Sequence, residues 1–321
     1  MSAGGPDSAG GAEGAEGGNC SVHPPPEAVV DAVSRALAED LGPDGDVTTA
    51  LVPASATAHF ALRARRDGVL AGRDCATETF RQLDPALVLE WRTDDGGVLA
   101  AGDTVMEVTG SLRPILTAER TALNFLGHLS GVATLTARFV AAAHARNPSV
   151  QILDTRKTTP GLRALEKAAV RAGGGHNHRA DLSEALLLKD NHLAGVTVTG
   201  AVARARALWP GRMLEVECDT LEQVAEAASA GADAVLLDNM APPLVARAIA
   251  VARAEAPGPE PGAPTVLTEV SGEVNLDNIG AYAAEGPDRI SIGALTHSAA
   301  VLNLGLDLVW RNGSGPRGGG D

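Results

Sequence analysis

The sequence predicts an α/β protein whose second half forms a barrel or a doubly wound sheet of parallel strands. Six short apolar runs follow residue 148 and alternate with helical stretches; they lie at residues 150–153, 185–188, 213–216, 234–237, 265–267 and 289–292. Such alternation is typical of parallel strands that are buried on both faces. Nearly every run is followed by polar residues, and barrels carry their catalytic groups at the carboxyl ends of their strands. These polar residues are therefore the candidate functional groups.

The first half of the chain predicts a smaller domain of different architecture. Residues 27–41 space apolar side chains three and four apart, which predicts an amphipathic helix that ends at Gly42 and Pro43. Residues 57–110 contain short β-rich runs broken by Gly and Asp, which is typical of an antiparallel sheet. Residues 116–145 follow a helical pattern, and we expect Ser130 and Gly131 to divide it into two helices.

Both ends of the chain differ in composition from the rest. Residues 1–25 and 312–321 are rich in Gly, Ala and Pro, so we expect disordered tails that bury little apolar surface. The first 24 residues lack the basic start and apolar stretch of a secretory signal. Three cysteines, Cys20, Cys75 and Cys218, suggest neither a disulfide framework nor a metal site. These observations predict a cytoplasmic protein.

Charge and composition argue against two classes of partner. A net charge of −14 repels polyanions, and the 2% aromatic content leaves few side chains on which bases could stack. We therefore expect no nucleic-acid partner. We also expect no membrane partner, because we find no segment that approaches the roughly 20 apolar residues of a membrane span.

Basic residues concentrate between positions 154 and 192 although the chain is acidic overall. Arg156 and Lys157 follow the first apolar run, Lys189 follows the second, and Arg179 follows the glycines at 173–175. Arg offers a planar fork for carboxylates and phosphates, and Lys offers a point charge. If these cations meet at one barrel mouth, the substrate carries several negative charges. The alternative is that they are ordinary solvated surface charges.

Acidic residues end two further runs and suggest a divalent metal. Glu215 and Glu217 alternate in one strand, so both side chains point to the same face, and Asp238 ends the next run. Mg²⁺ is usually held by one or two carboxylates together with substrate phosphate. Glu217 and Asp238 are the favoured ligands because they lie nearest the carboxyl ends. Ion pairing with the neighbouring cations is the alternative.

The last two runs end in small residues that suit a phosphate. Ser271-Gly272 and Gly293-Ala294 precede helix starts, where backbone N–H groups bind phosphate, and His297 offers a further donor. Ordinary turns need the same residues. A zinc site built from three histidines, His176, His178 and His192, is disfavoured because no cysteine is spaced to join them.

Six blocks of sequence resemble the signature blocks of quinolinate phosphoribosyltransferases, in the family's order. They lie at residues 116–131 (LTAERTALNFLGHLSG), 154–179 (DTRKTTPGLRALEKAAVRAGGGHNHR), 186–192 (LLLKDNH), 214–218 (LEVEC), 236–239 (LLDN) and 291–298 (SIGALTHS). The resemblance covers residues 27–308 and departs from the expected pattern at Thr159 and Ala168, where we expect Leu and Tyr. Neither position is a proposed contact.

The resemblance implies a subunit of two domains that acts on two anionic substrates. An open α/β sandwich is expected at residues 26–122 and an incomplete seven-stranded α/β barrel at 123–298, with residues 299–311 packing back on the sandwich. The implied reaction joins quinolinate to phosphoribosyl pyrophosphate with Mg²⁺ and loss of CO₂, and yields nicotinate mononucleotide. The implied assembly is a homodimer or larger homo-oligomer with shared active sites.

The resemblance also assigns roles to the candidate residues. Two sets are implied, one for each substrate. Arg156, His178, Arg179 and Lys189 would hold quinolinate, with Arg120 entering the partner subunit's site. Lys157, Glu217 and Asp238 would be catalytic and meet the diphosphate with Mg²⁺, and Ser271, Gly272, Gly293 and His297 would receive the 5-phosphate.

Two other functions remain as alternatives. One is a related phosphoribosyltransferase that uses another heteroaromatic acid, which the cation set for two carboxylates argues against. The other is a catalytically silent ligand-binding protein, which the retention of Lys157, Glu217 and Asp238 argues against.

Overall fold

The computed structural model describes residues 21–193, 195–256 and 266–312. Most of both predicted tails, Cys20 and the first residue of the 265–267 run lie outside these ranges. Residues 21–25 precede the first helix, and Arg171 donates hydrogen bonds to the backbone oxygens of Ser21 and His23. Cys75 and Cys218 are buried free thiols.

The first part of the described chain has several consecutive strands, and the second part alternates between strand and helix. The first part contains α1 (Pro26–Leu41), β1 (Thr57–Ala64), β2 (Gly68–Val69), α2 (Arg73–Leu83), β3 (Val88–Trp91), β4 (Val98–Leu99), β5 (Thr104–Ser111) and α3 (Leu112–His144). The second part contains β6 (Gln151–Leu153), α4 (Arg163–Ala172), β7 (Leu186–Leu188), α5 (Val198–Leu208), β8 (Leu214–Cys218), α6 (Leu221–Ser229), β9 (Ala234–Asp238), α7 (Pro242–Glu255), β10 (Leu267–Ser271), α8 (Ile279–Ala284), β11 (Arg289–Ser291), α9 (Ala294–His297) and β12 (Leu304–Arg311).

The N-terminal domain is an antiparallel sheet covered by helices. The strand order is β12-β1-β5-β3, so the last strand of the described chain pairs with the first. Its core joins Leu62 and Met106 of the sheet to Phe80 of α2 and Ile115 of α3. The helix predicted at 27–41 is confirmed as α1, which ends before Gly42. The sequence patterns did not predict α2.

The predicted break in the long helical stretch is wrong, because α3 runs without interruption for 33 residues. Ser130 and Gly131 are small because backbone of neighbouring segments lies close to each of them. The Ser130 hydroxyl donates to the Ala71 carbonyl (3.1 Å) and accepts its N–H (3.0 Å). A Cβ at Gly131 would overlap the carbonyl oxygen of Ala300. Tertiary contacts therefore select these residues, and the helix tolerates them.

The expectation about apolar segments also needs correction. By length and composition α3 alone among the described helices is long and apolar enough to cross a membrane. Half of its most apolar window is buried inside the protein, where it packs in both hydrophobic cores. Burial of this kind is what the core helix of a folded domain shows.

The second domain is a parallel sheet of six described strands in the order β6-β11-β10-β9-β8-β7. One face is apolar: Leu214, Val216 and Cys218 of β8 pack among the surrounding helices. The opposite face carries polar groups, since Glu217 pairs in register with Leu236, and Leu236 with Glu269. The prediction that these strands are buried on both faces is confirmed for β8, β9 and β10, although the inner face carries the buried carboxyl groups of Glu215 and Glu269. Only the outer face is a hydrocarbon core.

The sheet curls into an incomplete barrel that stays open between β6 and β7. A single parallel bridge from Leu153 to His176 stands beside β6, where a seventh strand would lie. The strand predicted at 265–267 begins later, as β10 spans Leu267–Ser271. All six strands are parallel, so their carboxyl ends lie at one end of the barrel.

Candidate active site

Most of the predicted site residues lie at or just beyond these carboxyl ends. Asp238 and Ser271 end β9 and β10, and Glu217 is the penultimate residue of β8. Lys189 directly follows β7. The parallel register therefore places one polar group on each of four neighbouring strands at the same end.

Four residues form what we call the basic cluster: Arg156, His178, Arg179 and Lys189. Nη1 of Arg156 is buried and has no hydrogen-bond partner among the described residues. Burial lowers the pKa of Arg179, and the positive charge of Arg156 lowers that pKa further. Two guanidinium groups are thus held near each other at an energetic cost that an anion between them would offset.

The backbone of His178 is fixed by a buried ion pair beneath it. Lys167 Nζ lies 2.5 Å from Asp154 Oδ1 and donates to the His178 carbonyl (2.7 Å). The same carboxylate accepts the His178 N–H (2.9 Å) and, through its other oxygen, the Asn177 amide (2.6 Å). Burial raises the pKa of Asp154, although the charge of Lys167 opposes the change.

The cation directly after β7, Lys189, pairs with an acid of the neighbouring strand β8. Lys189 Nζ donates to Glu217 Oε2. The Lys189 N–H donates to Nδ1 of His192 (3.0 Å), which anchors the short 3₁₀ turn Asp190–His192. His192 is therefore occupied by the backbone of this turn.

Glu217 and Asp238 are the two rim carboxylates that could hold a divalent metal. They end adjacent parallel strands, and Asp238 lies two residues beyond the register partner of Glu217. One oxygen of Glu217 accepts Lys189, and one oxygen of Asp238 accepts the Asn239 amide (2.9 Å). The other oxygen of each carboxylate has no hydrogen bond to a described residue. Hard oxygen ligands at the rim suit Mg²⁺ that also binds substrate phosphate.

The residues after β9 and β10, Asn239 and Gly272, have positive φ angles and pack against each other. Gly272 has φ +124°, and a Cβ there would overlap the side chain of Asn239. Asn239 has φ 52° and donates its N–H to the Ser271 carbonyl (3.0 Å). Asn tolerates this left-handed conformation better than most residues, so it can turn its amide towards Asp238.

A second close approach involves Gly293, just after β11. A Cβ at Gly293 would lie 3.0 Å from Cδ of Lys157 and 3.1 Å from Nε2 of His297. The Lys157 carbonyl accepts the Thr296 hydroxyl (2.9 Å), which joins the two segments. His297 Nδ1 contacts the Ser298 hydroxyl (2.7 Å). Lys157 and His297 thus flank a glycine where backbone can approach a phosphate.

Several predicted residues do not join this group. Arg120 is exposed on α3 and makes no hydrogen bond or ion pair to another described residue. Lys167, another cation between residues 154 and 192, is buried against Asp154. Arg163 donates to Thr158 and to the Ala180 carbonyl, so it braces the loop after β6.

The inner face of the barrel holds a second polar group, which we call the interior triad: His178, Glu215 and Glu269. The structure confirms that Glu215 and Glu217 share a face, and Glu215 lies deeper. Within the described ranges these three side chains form the one group of three or more His, Cys, Asp or Glu residues whose ligand atoms lie within 4.8 Å of one another. The three histidines of the disfavoured zinc site do not converge.

One cavity meets the candidate site on one side only. Its volume is about 930 Å³, and it opens at the gap between β6 and β7. His178, Arg179 and Glu215 belong to its wall. The rest of the wall includes residues 174–177, which follow α4, and Gln151 and Arg289 at the amino-terminal ends of β6 and β11. The rim groups Lys189, Glu217 and Asp238 lie outside it, so we assign the site by the rim chemistry.

Sequence reasoning missed three residues that shape the site: Asp154, Asn239 and Glu269. Both Asp154 and Asn239 belong to the sequence blocks quoted above. The partners of Asp154, Lys167 and His178, lie 13 and 24 residues away in sequence. The contact of Asn239 depends on its left-handed backbone. Glu269 follows an apolar run, as Glu217 does, and the same alternation could have indicated it.

Comparison with known proteins shows the family of the chain. Models of the quinolinate phosphoribosyl transferase N-terminal and C-terminal domains match residues 46–130 and 132–307. The nicotinate-nucleotide pyrophosphorylase [carboxylating] of Mycobacterium leprae is 43% identical over 287 residues, which is 88% of this chain and 98% of that protein. A probable enzyme of the same name from Bacillus subtilis is 37% identical over 86% of this chain and 92% of its own.

A solved structure agrees as well. The nicotinate-nucleotide pyrophosphorylase from Francisella tularensis superposes with a TM-score of 0.83 at 36% identity, covering 90% of this chain and 99% of that one. The family resemblance and the two-domain α/β fold expected from the sequence are thus confirmed. The chain belongs to the quinolinate phosphoribosyltransferase family.

Proposed function

We propose that this protein transfers the phosphoribosyl group of phosphoribosyl pyrophosphate to quinolinate, with loss of CO₂, to form nicotinate mononucleotide for NAD synthesis. The observation that carries the proposal is the buried, unpartnered Nη1 of Arg156 near the guanidinium of Arg179. Two such groups match a substrate with two adjacent carboxylates. The names of the curated relatives support the same reaction.

The basic cluster would hold quinolinate at the barrel mouth. Arg156 and Arg179 supply planar forks for its carboxylates, while His178 and Lys189 add single donors. Lys189 already contacts Glu217, so its ammonium lies between the proposed acid substrate and the proposed metal ligands. This arrangement would offset the repulsion between two anionic substrates.

The other rim groups would hold phosphoribosyl pyrophosphate. Lys157 and His297 flank Gly293 and would contact phosphate, together with the Ser271-Gly272 turn. Glu217 and Asp238 would hold Mg²⁺, which neutralises diphosphate charge and favours pyrophosphate as a leaving group.

The chemistry then needs little from the protein beyond binding and orientation. The unprotonated ring nitrogen of quinolinate attacks C1 of the ribose as the bond to pyrophosphate breaks. Glu217 and Asp238 would stabilise the positive charge that develops on the sugar. The pyridinium accepts the electrons released with CO₂, and the ring carbon then takes a proton. No general base is required.

We further propose that the active enzyme is a homodimer or larger assembly with shared sites. Arg120 supports this, because it is exposed and has no described partner within its own subunit. A cytoplasmic location is also proposed, and the two buried free thiols suit a reducing compartment.

Turnover with quinolinate, phosphoribosyl pyrophosphate and Mg²⁺ tests the function, with nicotinate as the competing acid. We expect nicotinate mononucleotide and CO₂ from quinolinate and no product from nicotinate. Preferential use of nicotinate would support the related enzyme for another heteroaromatic acid, and no turnover with either would support the silent binder.

A charge-conserving pair of variants tests the carboxylate assignment. Arg156→Lys keeps the charge but removes the fork, so the KM for quinolinate should rise by about tenfold or more. The matched control is Arg204→Lys on the exposed side of α5, which should leave KM unchanged. An unchanged KM in Arg156→Lys would remove Arg156 from the quinolinate contacts.

A further inference from the structure

The loop that follows β6, residues 154–162, carries two of the proposed substrate contacts, Arg156 and Lys157, and ends where α4 begins. Because this loop lies outside helix and strand in the described structure, its conformation depends on hydrogen bonds to side chains of neighbouring elements. The Thr296 hydroxyl holds it from the barrel by donating to the Lys157 carbonyl (2.9 Å). The residues beyond Lys157 are attached to α4 instead.

Glu166, in the first turn of α4, provides this second attachment. Its Oε2 accepts the N–H of Thr159 (3.0 Å), and its Oε1 lies 2.8 Å from Nε2 of His128 on α3. The carboxyl group is fully buried, whereas the His128 side chain is partly exposed. A carboxyl group is kept in such a setting where hydrogen-bond donors satisfy its oxygens. Both oxygens of Glu166 have such a partner, and the two partners come from different segments of the chain.

The position of Arg156 needs a restraint of this kind. Its Nη1 is buried without a hydrogen-bond partner among the described residues, and the like charge of Arg179 lies near it. Both conditions favour a loop conformation in which Arg156 is exposed to water, unless the backbone is restrained. Arg163 Nη2 donates to the Arg156 carbonyl at 3.4 Å, which is long for a hydrogen bond. The shorter hydrogen bond from Thr159 to the Glu166 carboxyl group is the stronger restraint.

We propose that Glu166 is a positioning residue that holds this loop so that Arg156 meets a carboxylate of the substrate, and that His128 holds Glu166 in place. The proposal rests on the proposed function, in which Arg156 is a quinolinate contact. Neither Glu166 nor His128 touches the substrate. Lys157 keeps its bond from Thr296 when Glu166 is lost, so binding of phosphoribosyl pyrophosphate depends less on Glu166 than binding of quinolinate does.

Hydrogen exchange followed by mass spectrometry tests the loop without any substrate. Glu166→Leu removes both acceptor oxygens at similar side-chain size, so the peptide that covers residues 154–162 should exchange about tenfold faster or more. Glu166→Gln should restore slow exchange, because its amide oxygen accepts the Thr159 N–H and its amide nitrogen donates to the neutral ring of His128.

Thr79→Val is the matched control for lost stability. It removes a fully buried hydroxyl that donates to the Cys75 carbonyl (2.7 Å) within α2, in the N-terminal domain. The substitution should therefore destabilise the protein without touching the loop after β6. Exchange of the 154–162 peptide in Thr79→Val should match the wild type.

Steady-state kinetics of the same variants separate positioning from stability. Glu166→Leu should raise the KM for quinolinate about tenfold, and the KM for phosphoribosyl pyrophosphate by a smaller factor. The kcat at saturating substrates should change less than the KM for quinolinate, since the reacting atoms are held by other groups. Glu166→Gln should return the KM for quinolinate to within about twofold of the wild type. Thr79→Val should leave both KM values unchanged.

His128→Leu tests the second half of the proposal. It leaves the bond from Thr159 to Glu166 in place but removes the partner of Oε1, so the KM for quinolinate and the exchange of the loop should both rise by smaller factors. Adding His128→Leu to Glu166→Leu should have no further effect on KM, because both substitutions act through one carboxyl group.

Three outcomes would overturn the proposal: equal exchange of the loop peptide in Glu166→Leu and the wild type, an unchanged KM for quinolinate in folded Glu166→Leu, or full additivity with His128→Leu. If Glu166→Leu does not fold, His128→Leu carries both measurements, and no change in either of them overturns the proposal as well. If the wild type fails to use quinolinate, the proposed function fails, while exchange of the loop peptide still decides whether Glu166 holds the loop.

Discussion

Replacing Lys167 by Met should destabilise the protein strongly without touching the rim of the site. The substitution removes the ammonium that lies 2.5 Å from Asp154 and 2.7 Å from the His178 carbonyl. Both side chains are almost fully buried, with 5% and 0% exposed. Asp154 would keep only the His178 N–H and the Asn177 amide as partners.

The magnitude follows from the burial of the pair. Removing one partner of a buried ion pair costs about 3–5 kcal/mol, because the other charge stays buried and uncompensated. For a chain of this size that corresponds to a fall in Tm of about 6–10 °C. Exposed pairs contribute about 1 kcal/mol or less.

The loss should also depend on pH. Burial already raises the pKa of Asp154 above 3.8, and removing Lys167 removes the main opposing charge. A carboxyl group whose pKa is higher in the folded state binds more protons folded than unfolded, so its contribution to stability falls as pH rises through the folded pKa. The deficit of Lys167→Met should therefore be larger at pH 8 than at pH 5.

Thermal unfolding at both pH values, followed by circular dichroism, measures the effect. The matched control is Arg35→Met, which breaks an exposed 3.0 Å pair with Asp31 and should lower Tm by little at either pH. Adding Asp154→Asn to Lys167→Met removes the stranded charge but keeps an acceptor for the His178 N–H, so stability should partly recover. A pH-independent loss with no recovery would refute the assignment of a buried, charged pair.

Three further predictions concern single positions. Arg179→Ala should abolish measurable quinolinate binding in calorimetry while leaving Tm nearly unchanged. Normal turnover by this variant would contradict the assignment of quinolinate as the substrate. Gly293→Ala should raise the KM for phosphoribosyl pyrophosphate about tenfold, because its Cβ would lie 3.1 Å from His297 Nε2. A rise in the KM for quinolinate with an unchanged KM for phosphoribosyl pyrophosphate would contradict a phosphate site at Gly293. Gly131→Ala should cost about 1–3 kcal/mol of unfolding free energy in urea titrations with KM values intact, and no loss would mean that the helix contact is loose.

The sequence predicted the parts of the fold that depend on local pattern. The alternation of Glu215 and Glu217 correctly placed both on one face of a strand, because side-chain direction has a period of two residues. The spacing in residues 27–41 predicted α1 for the same kind of reason. The polar ends of the parallel strands likewise fall together, since parallel strands end on the same side.

The features that the sequence did not predict correctly depend on contacts between distant parts of the chain. Ser130 and Gly131 looked like a break because local propensity is against them, yet their partners Ala71 and Ala300 are far away in sequence. Nothing in the local sequence reveals that the face of α4 that carries Lys167 covers Asp154. Contacts across the fold decide such positions, and a single sequence does not display them.

The continuous helix α3 has a consequence for the mechanics of the subunit. Its first half supplies Ile115 and Leu126 to one core, and its second half supplies Val132 and Phe139 to the other. The boundary between the two domain models, between residues 130 and 132, therefore lies near the middle of a continuous helix and not in a linker. We therefore expect that neither domain keeps its core when the chain is cut at this boundary, since each would lose half of α3. Bending between the domains would require breaking backbone hydrogen bonds within α3, so we expect them to unfold in a single transition.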